Sequence, residues 1–152
     1  MSSLKAISLG IVPILLIARF LPSITQAKVY GFCELAQLLH YKHGIARADL
    51  PNWMCLVRSE SSFDTRATHW NSYDGSTDWG LFQINDRYWC DPGNQLPTAN
   101  VCRVKCSKFL VPNQDEAMKC VRKIYEVHGF EAWAGWKNQC RGRKLDDVKQ
   151  CF

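Results

Sequence analysis

Eight cysteines, all placed after residue 32, constrain this 152-residue chain more than any other feature. So many thiols, even in number and packed into so short a stretch, point to a disulfide framework formed in an oxidising compartment. The segment ahead of them carries a matching address. Met1–Lys5 holds one Lys, Ala6–Ala18 is an uncharged run of 13 residues containing Ile, Leu and Val, and Thr25 and Ala27 supply small residues where a signal peptidase reads. That order predicts a secretory leader over residues 1–27, cut after Ala27, and a secreted, extracellular product. Arg19 ends the apolar run well short of the roughly 20 residues needed to span a bilayer, so no stable membrane insertion is expected. Residues 28–152 are then one domain with a modest core. Each cross-link would stabilise it by about 2–4 kcal/mol through restriction of the unfolded chain.

Loss of the leader removes Lys5 and Arg19 and no acidic residue, so the net charge falls from +5 to +3. A mild positive balance favours approach to anionic wall or membrane surfaces. Basic residues are spread along the chain without a nucleic-acid motif, so nucleic acid is not an expected partner. His40, His43, His69 and His128 lack metal-ligand spacing, no cysteine pair has C-x-x-C spacing, and no serine nucleophile elbow is present. Neither metal nor cofactor is expected, and the chain is read as a monomer.

Helical spacing of Leu35, Leu38 and Leu39 predicts a first helix over Phe32–His43, stopped by Gly44. A second runs from Pro51, suited to a first turn, to about Ser61. Trp53, Leu56, Val57 and Glu60 share one of its faces. From Arg66 to Asn85 the β-favouring residues Thr68, Trp70, Tyr73, Thr77, Trp79, Phe82 and Ile84 flank the turn pair Asp74-Gly75, which predicts a small antiparallel sheet. Tyr88–Lys108 is expected to be irregular and held by cysteines. Helices return at Gln114–His128, with Asn113 as a candidate cap, and at Glu131–Cys140; Leu145, Val148 and Cys151 fit a last short turn. The fold class expected is α+β, with two lobes around a cleft.

Glu60 closes an apolar helix face near the helix C-terminus. Burial and the negative end of the helix dipole would both raise its pKa. Periodicity alone is equally compatible with a solvated end-of-helix glutamate. Asp78 lies in Ser76-Thr77-Asp78-Trp79-Gly80, where Ser76, Thr77, Asn71 and Asn85 could keep a carboxylate hydrogen-bonded; an ordinary turn aspartate is the plainer reading. Two carboxyl groups in such different environments are what glycoside hydrolysis requires, one holding a proton and one ionised. Trp70, Trp79, Tyr88 and Trp89 are candidates either for sugar stacking or for packing.

Longer stretches are specific enough to name a family. Lys28-Val29-Tyr30-Gly31-Phe32-Cys33-Glu34-Leu35, Asn52 to Ser62 around Glu60, Ser76 to Cys90 around Asp78, and Ala132-Trp133-Ala134-Gly135-Trp136-Lys137-Asn138-Gln139-Cys140 together resemble c-type lysozymes, the insect branch most of all. The resemblance covers residues 28–152. It implies hydrolysis of the β-1,4 bond between N-acetylmuramic acid and N-acetylglucosamine in bacterial peptidoglycan, with chitooligosaccharides as further ligands, in bacteriolytic defence or digestion. Glu60 would be the general acid and then the base, and Asp78 the nucleophile or electrostatic stabiliser. Retention of configuration would go with carboxyl groups about 5–5.5 Å apart. Asn71, Gln83, Asn85, Tyr88, Trp89, Ala132 and Trp133 would line the cleft, with Trp133 packed against Glu60. The family's pairing implies Cys33–Cys151, Cys55–Cys140, Cys90–Cys106 and Cys102–Cys120. Two departures stand out: His69, with Trp70 next, where the family often places Asn before the substrate-facing strand, and a shortened Val127-His128-Gly129 at the cleft edge. Lys108–Glu116 lacks the aspartate cluster by which the related lactalbumins hold calcium, so no calcium site is expected. A non-catalytic glycan-binding protein and a cationic membrane-active protein are the alternatives.

Overall fold

The structure, a computed structural model, describes residues 27–94 and 96–152; the leader expected over residues 1–27 lies outside them except for Ala27. A helical lobe is built from α1 (Phe32–Gln37), α2 (Leu50–Ser61), α3 (Asp115–His128) and α4 (Ala134–Gln139). The second lobe is an antiparallel sheet of β1 (Thr68–Asn71), β2 (Ser76–Trp79) and β3 (Ile84–Asn85), in that order. The α+β class expected from the pattern is the class found.

The α2 periodicity reads through to packing. Trp53, Leu56 and Val57 are buried, Pro51 sits in the first turn, and Glu60 emerges half-buried at the far end of the same face. Ser62 then takes a left-handed conformation (φ 52°) and stops the helix. On α3 the expected stripe is buried at Ala117, Val121 and Ile124 but ends before the exposed His128. Trp53 is the hub of the core, with its ring against Phe82, Tyr125, Phe130 and Trp133 at centroid separations of 4.8–6.3 Å.

Three helical expectations are corrected. The first helix does not run regularly to His43, because after Gln37 it widens into a π-turn over Leu38–Lys42. The expected helix over Glu131–Cys140 is divided. A 3₁₀ turn (Gly129–Ala132) precedes Trp133, whose extended backbone (φ −103°, ψ 121°) interrupts the coil before α4 starts. That break turns the indole into the core, where Nε1 donates to the buried Phe82 carbonyl at 2.8 Å. The residue at the N-cap of α3 is Gln114, one later than expected, although the Asn113 side chain does accept the Asp115 N–H at 3.0 Å.

The turn at Asp74-Gly75 joins β1 to β2 with Gly75 at φ 71°. Gly80, just past β2, has φ 74°, and any Cβ there would drive into the Phe109 carbonyl; only glycine lets the sheet lobe close onto the 3₁₀ turn Cys106–Phe109. Four disulfides brace the fold: Cys33–Cys151, Cys55–Cys140, Cys90–Cys106 and Cys102–Cys120. The last two hold the irregular stretch after Tyr88.

Candidate active site

Between the lobes runs a cleft of about 560 Å³ that receives Glu60 from α2 and Asp78 from β2. Every residue expected around the pair, namely Asn71, Gln83, Asn85, Tyr88, Trp89, Ala132 and Trp133, lines it. A larger depression of about 770 Å³ lies elsewhere, at Phe32, Cys33 and Gln150, but of its charged groups Arg58 and Asp146 are ion-paired to each other and Asp147 accepts the Lys149 backbone N–H at 2.9 Å. The smaller cleft is the chemically distinctive one.

Glu60 reaches the cleft because α2 ends there. Its Oε1 accepts the backbone N–H of Gly135, in the first turn of α4, at 2.7 Å. A Cβ at residue 135 would stand 2.7 Å from that same oxygen, so glycine allows the amide to close on the carboxyl. Burial is the largest influence on Glu60 and pushes its pKa above the usual glutamate range. The Gly135 hydrogen bond opposes that shift, and the neighbouring Asp78 adds to it.

Asp78 lies in a different environment. On the flanking strands, Asn71 Nδ2 donates to its Oδ2 at 2.9 Å and Asn85 Nδ2 to its Oδ1 at 2.8 Å. Two amide donors, one per oxygen, suit an acceptor-only carboxylate. The sheet register creates this arrangement: Asp78 stands opposite Asn85 on β3, and Asn71 is two residues along β1 from His69, the residue opposite Asp78. Ser76 links the set, accepting from Asn85 at 2.8 Å and donating to Asp74 at 2.7 Å. That bond from Ser76 is the main influence holding the half-buried Asp74 carboxyl below its ordinary value.

The remaining positions divide by role. The Gln83 amide is engaged by the carbonyls of Ala67 (3.0 Å) and Gly80 (2.9 Å), which makes it a brace of the cleft floor. Tyr88 is 53% exposed and half-buried Trp89 stands edge-on to His128 at 6.0 Å, leaving aromatic surface open along the wall. His69 and Trp70 are exposed on β1 and do not line the cleft. Sequence reasoning missed Tyr73, Asp74 and Arg87, which also line it, and the Gly135 N–H. Asp74 was visible only as a turn residue. Gly135 carried no such signal, since the group it brings to Glu60 is its backbone N–H.

Against known proteins, residues 28–151 match the model of the C-type lysozyme/alpha-lactalbumin family. Lysozyme c-1 of Anopheles gambiae is 48% identical over 130 residues, 86% of this chain and 89% of that protein. A lysozyme of Bombyx mori is 47% identical over 127 residues, 84% and 89% of the two chains. Lysozyme C II of Oncorhynchus mykiss is 42% identical over 132 residues, 85% and 91% of the two. Similarity of that extent, on an α+β fold with four disulfides and an interlobe cleft, places the chain in the C-type lysozyme/alpha-lactalbumin family.

Proposed function

We propose that this chain is a lysozyme that hydrolyses the β-1,4 bond between N-acetylmuramic acid and N-acetylglucosamine in peptidoglycan with retention of configuration. The observation that carries this reading is the contrast between the two carboxyls of the cleft. Glu60 is held in a desolvated setting that favours its protonated form, while Asp78 has a hydrogen-bond donor on each oxygen. Glu60 donates its proton to the leaving oxygen as the glycosidic bond breaks. Asp78 stabilises the oxocarbenium-like centre or bonds to it, and water activated by the deprotonated Glu60 then releases the sugar. The exposed Tyr88 and half-buried Trp89 offer faces on which sugar rings stack. Short chitooligosaccharides, which share the N-acetylglucosamine unit, occupy the same wall.

The cleft is complete within one chain, which supports action as a monomer. Among the described residues no helix is long and apolar enough to cross a membrane. The leader read over residues 1–27 and the four disulfides support secretion after cleavage at Ala27. The test is clearance of a Gram-positive cell-wall suspension by the mature protein beside Glu60→Gln and Asp78→Asn. Both variants are expected to lose at least about a hundredfold in rate. Undiminished lysis by the folded Glu60→Gln protein would refute the acid assigned to Glu60.

A further inference from the structure

Asp86 is a buried acidic residue, 7% exposed, that the reaction itself does not use. It directly follows Asn85, the last residue of β3. Its backbone N–H continues the ladder by donating to the Thr77 carbonyl at 2.9 Å. Its own carbonyl, however, is taken by the Thr98 hydroxyl at 2.5 Å. The side chain substitutes for it. Oδ1 accepts the Thr77 N–H at 2.9 Å and Oδ2 accepts the Trp79 indole N–H at 3.1 Å. Thr77 and Trp79 are the two neighbours of Asp78. One carboxylate thus grips β2 on both sides of the Asp78 position, from the face opposite the cleft.

We infer that Asp86 is a positioning residue that aims Asp78. The inference rests on the reading of Asp78 as the second carboxyl of the reaction. Strand alternation makes the setting of β2 critical, because slippage by one residue would turn Asp78 away from the cleft. Smaller displacements would lengthen its bonds to Asn71 and Asn85. Asn85 adjoins Asp86 in the chain, so the same clamp sets both the carboxylate and one of its two donors. The sheet is short: β3 pairs with β2 at only Asp78↔Asn85 and Trp79↔Ile84. Two charge-assisted bonds placed at the end of so small a ladder carry a large share of its alignment.

The test compares Asp86→Asn, Asp86→Ala and Trp79→Phe in the mature, disulfide-bonded protein. Asparagine keeps one oxygen for one of the two donors, alanine keeps none, and phenylalanine removes the indole donor with part of the ring while leaving the Thr77 bond intact. At a temperature where near-ultraviolet circular dichroism shows all of them folded, kcat is expected to fall about tenfold in Asp86→Asn. It should fall further in Asp86→Ala and less in Trp79→Phe, with KM changed less than about twofold. In an Asp78→Asn background the Asp86 substitution should cost no additional rate, since the residue acts through Asp78. The side-chain amide resonances of Asn71 and Asn85 provide a readout independent of turnover, and both are expected to shift in Asp86→Asn. Unchanged kcat and unmoved amide resonances in a folded Asp86→Ala protein would overturn the inference, as would a full additional loss in the Asp78→Asn background. A native protein without turnover whose amide resonances still move in Asp86→Asn would reject the hydrolase reading while leaving the clamp in place.

Discussion

Replacing Trp133 by Phe separates what the indole does for the fold from what it does for the acid. Trp133 is 4% exposed, and its Nε1–H supplies the hydrogen bond to the carbonyl of Phe82, which is fully buried. A phenyl ring leaves that carbonyl without its donor, at a cost of about 1–3 kcal/mol. A domain of 125 residues unfolds with an entropy of roughly 0.26 kcal/mol/K, so the melting temperature should fall by about 4–12 °C. The smaller ring also opens space in the cleft wall two residues before Gly135, whose amide touches Glu60. Burial is the largest influence raising Glu60, so water admitted here should lower its pKa toward the ordinary carboxylate range. The assays are thermal unfolding with disulfides intact and a pH profile of kcat/KM on cell walls, whose alkaline limb reports the acid in the free enzyme. The expected result is a lower melting temperature together with an alkaline limb displaced to lower pH. A limb that stays in place while stability drops would show that Trp133 braces the core without keeping Glu60 dry.

Two further outcomes concern stability against pH. Because the folded chain raises the Glu60 pKa, the stability linked to its proton is fully present below the ordinary carboxylate value of 4.5 and is lost as pH rises through the raised one. Glu60→Gln keeps an acceptor for the Gly135 N–H and has no charge to bury, so calorimetry should find it more stable than the native protein near pH 7 but equal to it near pH 3.5; a gain of the same size at both would contradict the linkage. His43 has the opposite sign. It is 8% exposed, its Nε2 has no hydrogen-bond partner among the described residues, and desolvation depresses its pKa against the pull of Asp115, 3.9 Å away. Its contribution is complete above the ordinary imidazole value of 6.5 and is lost as pH falls through the depressed one. Melting temperature should therefore drop more steeply from about pH 7 to pH 5 in the native chain than in His43→Gln, and parallel curves would dismiss His43 as the cause.

What could be read in the sequence follows the range of the interactions involved. The α2 face was legible because Trp53, Leu56, Val57 and Glu60 repeat within two turns, and local geometry alone places them together. The β1–β2 turn was legible because Asp74-Gly75 needs a residue tolerant of positive φ. The π-turn after Gln37 was not, since one residue of slack in a helix leaves the apolar pattern nearly intact. Trp133 looked helical from its spacing to Trp136, yet a hydrogen bond to Phe82, 51 residues away, holds its backbone extended. The Gly135 contact to Glu60 spans 75 residues and uses a backbone N–H, a group that every residue but proline carries, so no residue pattern could announce it. Asn71 and Asn85 were visible as neighbours of Asp78, whereas Asp86 became meaningful only once the register of β3 was known.

The two carboxyls of the cleft are held by different chemistry, and the placement of the cysteines explains why. Cys55 lies in α2 five residues before Glu60, and its partner Cys140 caps α4 five residues after Gly135. The covalent tie joins the two helices whose approach makes the Glu60–Gly135 contact, so the desolvated acid is kept in place by a bond that does not fray with the surface. The sheet carrying Asp78 has no cysteine between Thr68 and Asn85. It relies on three short strands, on the Asp74–Ser76 turn bonds, and on Asp86 gripping Thr77 and Trp79. A buried acid needs rigidity, because its raised pKa disappears once water enters. A hydrogen-bonded carboxylate needs alignment of its donors, which a ladder can restore after each small opening. The strict demand therefore falls on the helical half, where the disulfide is, and the sheet half keeps the freedom to adjust around a bound sugar.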